Sequence, residues 1–125
     1  MAPRVFVGID LIEIDRVRAA LARHPERFRA RVFTAREIAE CDRKKRPDES
    51  YAGRFAAKEA IGKLLGTGVP WTWREIEIAG RGKPEVSLSG RMARAAERLG
   101  VARIDLSMTH SRTTAAAVAV AVAAD

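Results

Sequence analysis

The sequence predicts an α+β fold, a mainly antiparallel sheet with helices packed on one face. Three observations point there. A long run of good helix formers opens near Asp48, just after Pro47, and ends at Gly66 and Gly68, which suit a C-terminal stop. Short alternating stretches read as strands at Ile76 to Ile78, Ile104 to His110 and Ala115 to Val122. Gly80-Arg-Gly-Lys-Pro84 reads as a hairpin turn between two of the strands.

Taken in order, Arg4 to Ile9 is a strand with apolar residues on both faces, which predicts an interior position. Gly8 and Asp10 share one face by the two-residue period. Asp10 then ends the strand, either capping the next helix or serving as a metal ligand. A helix follows over roughly 12–23, with Ile14, Val17, Leu21 and Ala20 inward and Arg16, Arg18 and Arg23 outward. Arg27, Arg29 and Arg31 continue the basic character past Pro25, with no element assigned to them. Thr34-Ala-Arg-Glu37 is a capping box with Phe33 as its staple residue, and it opens a short helix to about Arg43. Asp42 to Asp48 is a charged loop whose Lys44 and Arg46 can meet a phosphate at the long helix.

On a helical wheel the long helix splits. Ala56, Ala57, Ala60, Ile61, Leu64 and Leu65 share the core arc. Lys58, Glu59 and Lys63 share the opposite arc with Phe55 and Gly62. Glu59 and Lys63 suit an ordinary i,i+4 ion pair. Two lysines around one carboxylate, with Gly66-Thr67-Gly68 downstream, also suit a metal plus phosphates. After the turn over 69–73, Ile76 and Ile78 alternate with Glu75 and Glu77, and Val86 and Leu88 mark the returning strand. Ser89 caps a helix from Gly90 to Leu99, and Gly100 stops it. His110 ends the next strand, and Ala/Val alternation gives the last strand one face of small side chains.

The whole chain is one domain over 125 residues. It has 23 Lys plus Arg against 16 Asp plus Glu, a net charge of +7, which favours nucleic acid, a phosphorylated ligand or an acidic protein as partner. The single Cys41 excludes an internal disulfide and suits a reducing, cytoplasmic setting. No signal peptide is visible. The apolar runs at Val5 and Ala115 are too short to span a bilayer, so no membrane partner is expected.

Gly8-Ile9-Asp10, paired with Phe55-Ala-Ala-Lys58-Glu59-Ala-Ile-Gly-Lys63, resembles the signature of the 4′-phosphopantetheinyl transferases. The short length, Gly53-Arg54-Phe55, Gly66-Thr67-Gly68, Gly82-Lys-Pro84 and Thr109-His110 are similar to the acyl-carrier-protein synthase branch, nearly end to end. The resemblance implies transfer of the phosphopantetheine arm of coenzyme A to a serine of an apo carrier protein, releasing adenosine 3′,5′-bisphosphate. It implies Mg²⁺ on Asp10 and Glu59, with Lys63 and His110 also catalytic. Coenzyme A contacts would come from Lys44, Arg46, Arg54, Phe55, Lys63, Gly66, Thr67, Gly68, Pro84, Thr109 and His110. Arg16, Arg23, Arg27 and Arg31 would meet an acidic acyl carrier protein, and the chain would form homotrimers with sites shared between subunits. Longer members of the superfamily place a second acidic ligand where Ile12 stands; here either water fills that position, as Mg²⁺ readily allows, or Glu13 approaches. His110, Glu59 and a metal-bound water all remain open as the base.

Two other classes compete. A small basic nucleic-acid-binding module explains the charge but not Asp10 and Glu59, and aromatic residues amount to only 6%, with no stacking pair among the basic residues. A catalytically silent carrier-binding relative would bind without forming product.

Overall fold

The structure, a computed structural model, describes residues 2–66, 72–80 and 82–123. Strand β1 (Arg4–Glu13) leads into α1 (Ile14–Arg23), α2 (Pro25–Val32), α3 (Ala35–Asp42) and the long α4 (Pro47–Leu64). After a 3₁₀ turn at Trp73–Glu75 come β2 (Ile76–Ala79), β3 (Glu85–Leu88), α5 (Gly90–Leu99), β4 (Ile104–His110) and β5 (Thr114–Ala123). The α+β expectation holds. The strands form two antiparallel sheets, one ordered β1-β5-β4 and the other the β2-β3 hairpin.

Small side chains set how α4 meets the sheet. Ala115, Ala117, Ala119, Ala121 and Ala123 are buried on one face of β5, while Ala56, Ala57 and Ala60 are buried on α4. Gly8 pairs with Ala119 and Asp10 with Ala117 across the β1–β5 ladder. A Cβ built on Gly8 would overlap the Ala60 carbonyl oxygen and stand 2.9 Å from the Leu64 nitrogen. Glycine here permits the helix to lie directly on the strand, which brings Asp10 under the last turns of α4.

Several expectations change. β1 is an edge strand of the single chain, and its Val5, Val7, Ile9 and Leu11 are 62–69% exposed. Apolar residues on both faces read as an interior strand, but one chain covers only the Gly8–Asp10 face. The strand also runs on through Glu13, so α1 begins at Ile14 and Asp10 lies inside the strand rather than capping a helix. Residues 25–32 form a helix, because Pro25 occupies its first turn, where its missing N–H costs nothing. Ser89 makes no side-chain cap to α5; Glu75 accepts from Met92 N at 3.0 Å instead. The Thr34–Glu37 capping box and the Gly100 stop are present as expected.

Candidate active site

Asp10 and Glu59 come from different elements and meet where β1 passes under α4. Together with Leu11, Ile12, Arg16, Phe28 and Phe55 they line a cleft of about 430 Å³. Lys63, one turn beyond Glu59, places Nζ 3.0 Å from Asp10 Oδ1 and 3.0 Å from the Ile9 carbonyl oxygen. Its ammonium thus bridges helix to strand rather than serving only a partner on its own helix. Burial raises the pKa of Glu59, the charge of Asp10 raises it further, and Lys63 opposes both. Two carboxylates crowded in this way favour a cation between them.

No cluster of three or more His, Cys, Asp or Glu side chains suited to a metal exists among the described residues. A two-carboxylate site still fits a hard cation that retains several waters, as Mg²⁺ does. The half-buried Asp10 and Glu59 leave room for such waters on the cleft side.

Lys58 does not join this face. It is fully buried, and its ammonium donates to Glu37 Oε1 at 2.8 Å, to the Trp73 carbonyl at 3.0 Å and to the Ile76 carbonyl. Glu37 in turn accepts from Thr34 N and Ile78 N, each at 2.8 Å. The pair ties α3, α4 and β2 together, which a wheel of α4 alone does not reveal. Burial lowers the Lys58 pKa while the charge of Glu37 raises it.

A second cleft, about 420 Å³, gathers Lys44, Lys45, Arg46, Glu49, Arg54, Thr109 and His110 around the first half of α4. His110 is exposed, with Nδ1 3.1 Å from the Ser111 carbonyl oxygen and Nε2 3.9 Å from Glu49 Oε1. Arg54 reaches the cleft but is largely committed inward, donating to Ile78 O at 3.1 Å, Ser50 Oγ at 2.9 Å and Glu40 Oε1 at 3.4 Å. The two clefts share no lining residue, so this chain presents the carboxylates and the phosphate-suited cations separately.

Pro84 lies in neither cleft. It lines a third between β3, α5 and β4. Gly66 follows α4 with φ +78° and is exposed, while Thr67 and Gly68 lie outside the described residues. Arg16, Arg23, Arg27 and Arg31 are all exposed, and none has a side-chain partner among the described residues. Arg18 is held by Asp15 and Asp48, and Arg29 by Tyr51 and Asp42. Glu49 was missed by the sequence reading, although it stands one helical turn before Gly53 on the same stripe. The Thr72-Trp-Arg-Glu75 capping box was missed too, despite its readable S/T-x-x-E pattern.

The chain is similar to known proteins along nearly its whole length. Residues 6–122 match the 4′-phosphopantetheinyl transferase superfamily. A holo-[acyl-carrier-protein] synthase of Moorella thermoacetica is 48% identical over 115 residues, covering 90% of this chain and 89% of that protein. The crystal structure of the Helicobacter pylori holo-[acyl-carrier-protein] synthase in complex with coenzyme A superposes with a TM-score of 0.78 at 29% identity, covering 92% of this chain and 98% of that one. The Bacillus anthracis enzyme in complex with CoA (3′,5′-ADP) gives 0.77 at 32% identity, covering 98% and 100%.

Proposed function

Because the chain belongs to the 4′-phosphopantetheinyl transferase superfamily, among its holo-[acyl-carrier-protein] synthases, we propose that it moves the 4′-phosphopantetheine arm of coenzyme A onto a serine of an apo acyl carrier protein in a Mg²⁺-dependent reaction of cytoplasmic fatty-acid synthesis. The observation that carries the reading is the Asp10–Glu59 pair with Lys63 seated on Asp10. Asp10 and Glu59 would hold Mg²⁺, which when bound supplies positive charge against the pyrophosphate oxygens.

The serine hydroxyl gives up its proton, which ends on the leaving 5′-phosphate or in solvent, and its oxygen forms a bond to the phosphorus that bears the pantetheine arm. The bridging P–O bond breaks, and its electrons leave with adenosine 3′,5′-bisphosphate. Lys63 is within one helical turn of Glu59 and would neutralise charge growing on the leaving oxygen. Lys44 and Arg46 would hold the 3′-phosphate, as a point charge and a fork respectively. His110 shares their cleft rather than that of the carboxylates, which favours phosphate positioning over proton removal within one chain.

A homotrimer would bring the two clefts together across subunit boundaries. The bare apolar face of Val5, Val7, Ile9, Leu11, Val120 and Val122 supports such an assembly. Mass spectrometry of an apo carrier incubated with coenzyme A and Mg²⁺ tests the function. A gain of one phosphopantetheine mass, absent with EDTA, is expected. No gain from a folded sample that binds coenzyme A overturns the reading.

A further inference from the structure

We propose that Arg74 joins Arg31, already among the arginines expected to face the carrier protein, in a two-guanidinium cradle for an acidic segment of that carrier, extending its docking surface beyond α1 and α2 onto the 3₁₀ turn; the proposal rests on the transferase reading above. A cleft of about 600 Å³ opens between the end of α2 and the turn at Trp73–Glu75, with both arginines on its lining. Arg31 sits in the last turn of α2. Arg74 sits inside the capping box in which Glu75 accepts from Thr72 N at 3.0 Å.

The carboxylates nearest this cleft in the chain are turned to other tasks. Glu75 also accepts from Met92 N at 3.0 Å and so anchors α5. Glu77 accepts from Thr34 Oγ1 at 2.6 Å. Both arginines are exposed, and neither has a side-chain partner among the described residues. Two like charges are therefore held on one cleft by ordered backbone. The planar fork of each guanidinium can take a carboxylate seated there in bidentate fashion.

The wall of the cleft identifies the anion's owner. Trp73 lines it and stacks on Phe55, with centroids 4.8 Å apart and planes at 27°. Phe55 lines the cleft that holds Asp10 and Glu59, and Phe28 stacks beyond it at 6.3 Å. A continuous aromatic ridge thus joins the cradle to the reacting carboxylates. A protein whose serine enters beside Asp10 lies across that ridge and presents its own acidic residues to Arg31 and Arg74. Coenzyme A has its own cations at Lys44 and Arg46, in a cleft that shares no residue with this one.

The test is steady-state transfer by Arg74→Glu and Arg31→Glu, with apo carrier and coenzyme A varied in turn, beside direct binding of apo carrier measured by fluorescence anisotropy. Each reversal is expected to raise the KM and Kd for the carrier about five- to tenfold, with the coenzyme A KM within about twofold of wild type. The effect should shrink as salt is raised. An acid-to-lysine change on the carrier that restores binding to the Arg74→Glu protein would identify the facing residue and support the cradle. An unchanged carrier KM and Kd in Arg74→Glu overturns it, as does an equal rise for both substrates. Because binding is read apart from turnover, a wild-type protein that binds carrier without transferring the arm removes the transferase reading while the cradle is still judged by Kd. Absence of carrier binding by wild type overturns both.

Discussion

Lys63 Nζ lies 3.0 Å from Asp10 Oδ1, so a cation from the end of α4 sits on the carboxylate of β1. The contact joins two elements that Gly8 allows to touch, and it lies beside Glu59. The chain therefore holds two acids and one base at a single crossing. Asp10→Asn and Glu59→Gln are each expected to reduce transfer by about a hundredfold or more, since several kcal/mol of charge stabilisation goes with a lost metal ligand. Both variants should stay folded: Glu59→Gln removes like-charge repulsion with Asp10, while Asp10→Asn removes that repulsion and weakens the contact with Lys63. Full activity in either variant would end the assignment.

The same crowding gives a pH signature in the metal-free protein. Burial, and then the charge of Asp10, raises the folded-state pKa of Glu59 above the ordinary 4.5. The folded state therefore binds that proton more tightly than the unfolded chain does. Stability from this group is full below the ordinary value and is lost as pH rises through the raised one. Melting scans in EDTA should show Glu59→Gln gaining on wild type across that window and matching it at lower pH. Added Mg²⁺ should erase the difference above the window by stabilising wild type. A constant offset at all pH values would remove Glu59 as its source.

Periodicity made Asp10, Glu59 and Lys63 legible in the sequence, because each is placed by its own element: a two-residue period puts Asp10 with Gly8, and a four-residue step puts Lys63 above Glu59. The Thr34–Glu37 capping box was legible for the same reason, being entirely local. What escaped depends on distant neighbours. Lys58 looks solvated on a wheel, yet Glu37, carried by a different helix, meets it in the core. Ser89 looks like a cap, yet Glu75 does the capping from across the hairpin. The apolar residues of β1 point to burial on both faces, but among the described residues no other element of the chain packs on Val7 and Ile9, which stay exposed.

The Lys58–Glu37 pair sets the next expectation. Removing one partner leaves a buried charge uncompensated, so Lys58→Met should cost about 3–5 kcal/mol of stability. Adding Glu37→Gln to it removes the stranded charge and should recover part of the loss, while the amide oxygen introduced there can still accept from Ile78 N. Urea unfolding of the two singles and the double, read as a double-mutant cycle, measures the coupling. Additive losses would mean that the two groups act independently.

Gly8 tests the crossing itself. Its neighbour is backbone, the Ala60 carbonyl, which cannot move aside as a flexible side chain does. Gly8→Ala should therefore lift α4 from β1 and cost about 3 kcal/mol, at the upper end of ordinary overpacking. Because Asp10 and Glu59 ride on the two separated elements, Mn²⁺ affinity, read by electron paramagnetic resonance, should fall along with stability. A variant with wild-type stability and affinity would show that the close approach is not what sets the site.

The apolar face of β1 bears on whether one chain suffices for catalysis. Ile9 is 65% exposed and Val7 62%, on the side of the strand away from α4. Ile9→Lys adds a charge there without touching the α4 side. Sedimentation should show wild type as an oligomer and Ile9→Lys shifted toward monomer at the same concentration, since burying an unpaired ammonium in an apolar interface costs several kcal/mol. Transfer activity should fall with the oligomer even though Asp10, Glu59 and Lys63 are all retained, because the Lys44–His110 cleft would no longer be met by a neighbour's carboxylates. A monomeric Ile9→Lys protein with full turnover would place the complete site within one chain and break the link between assembly and catalysis.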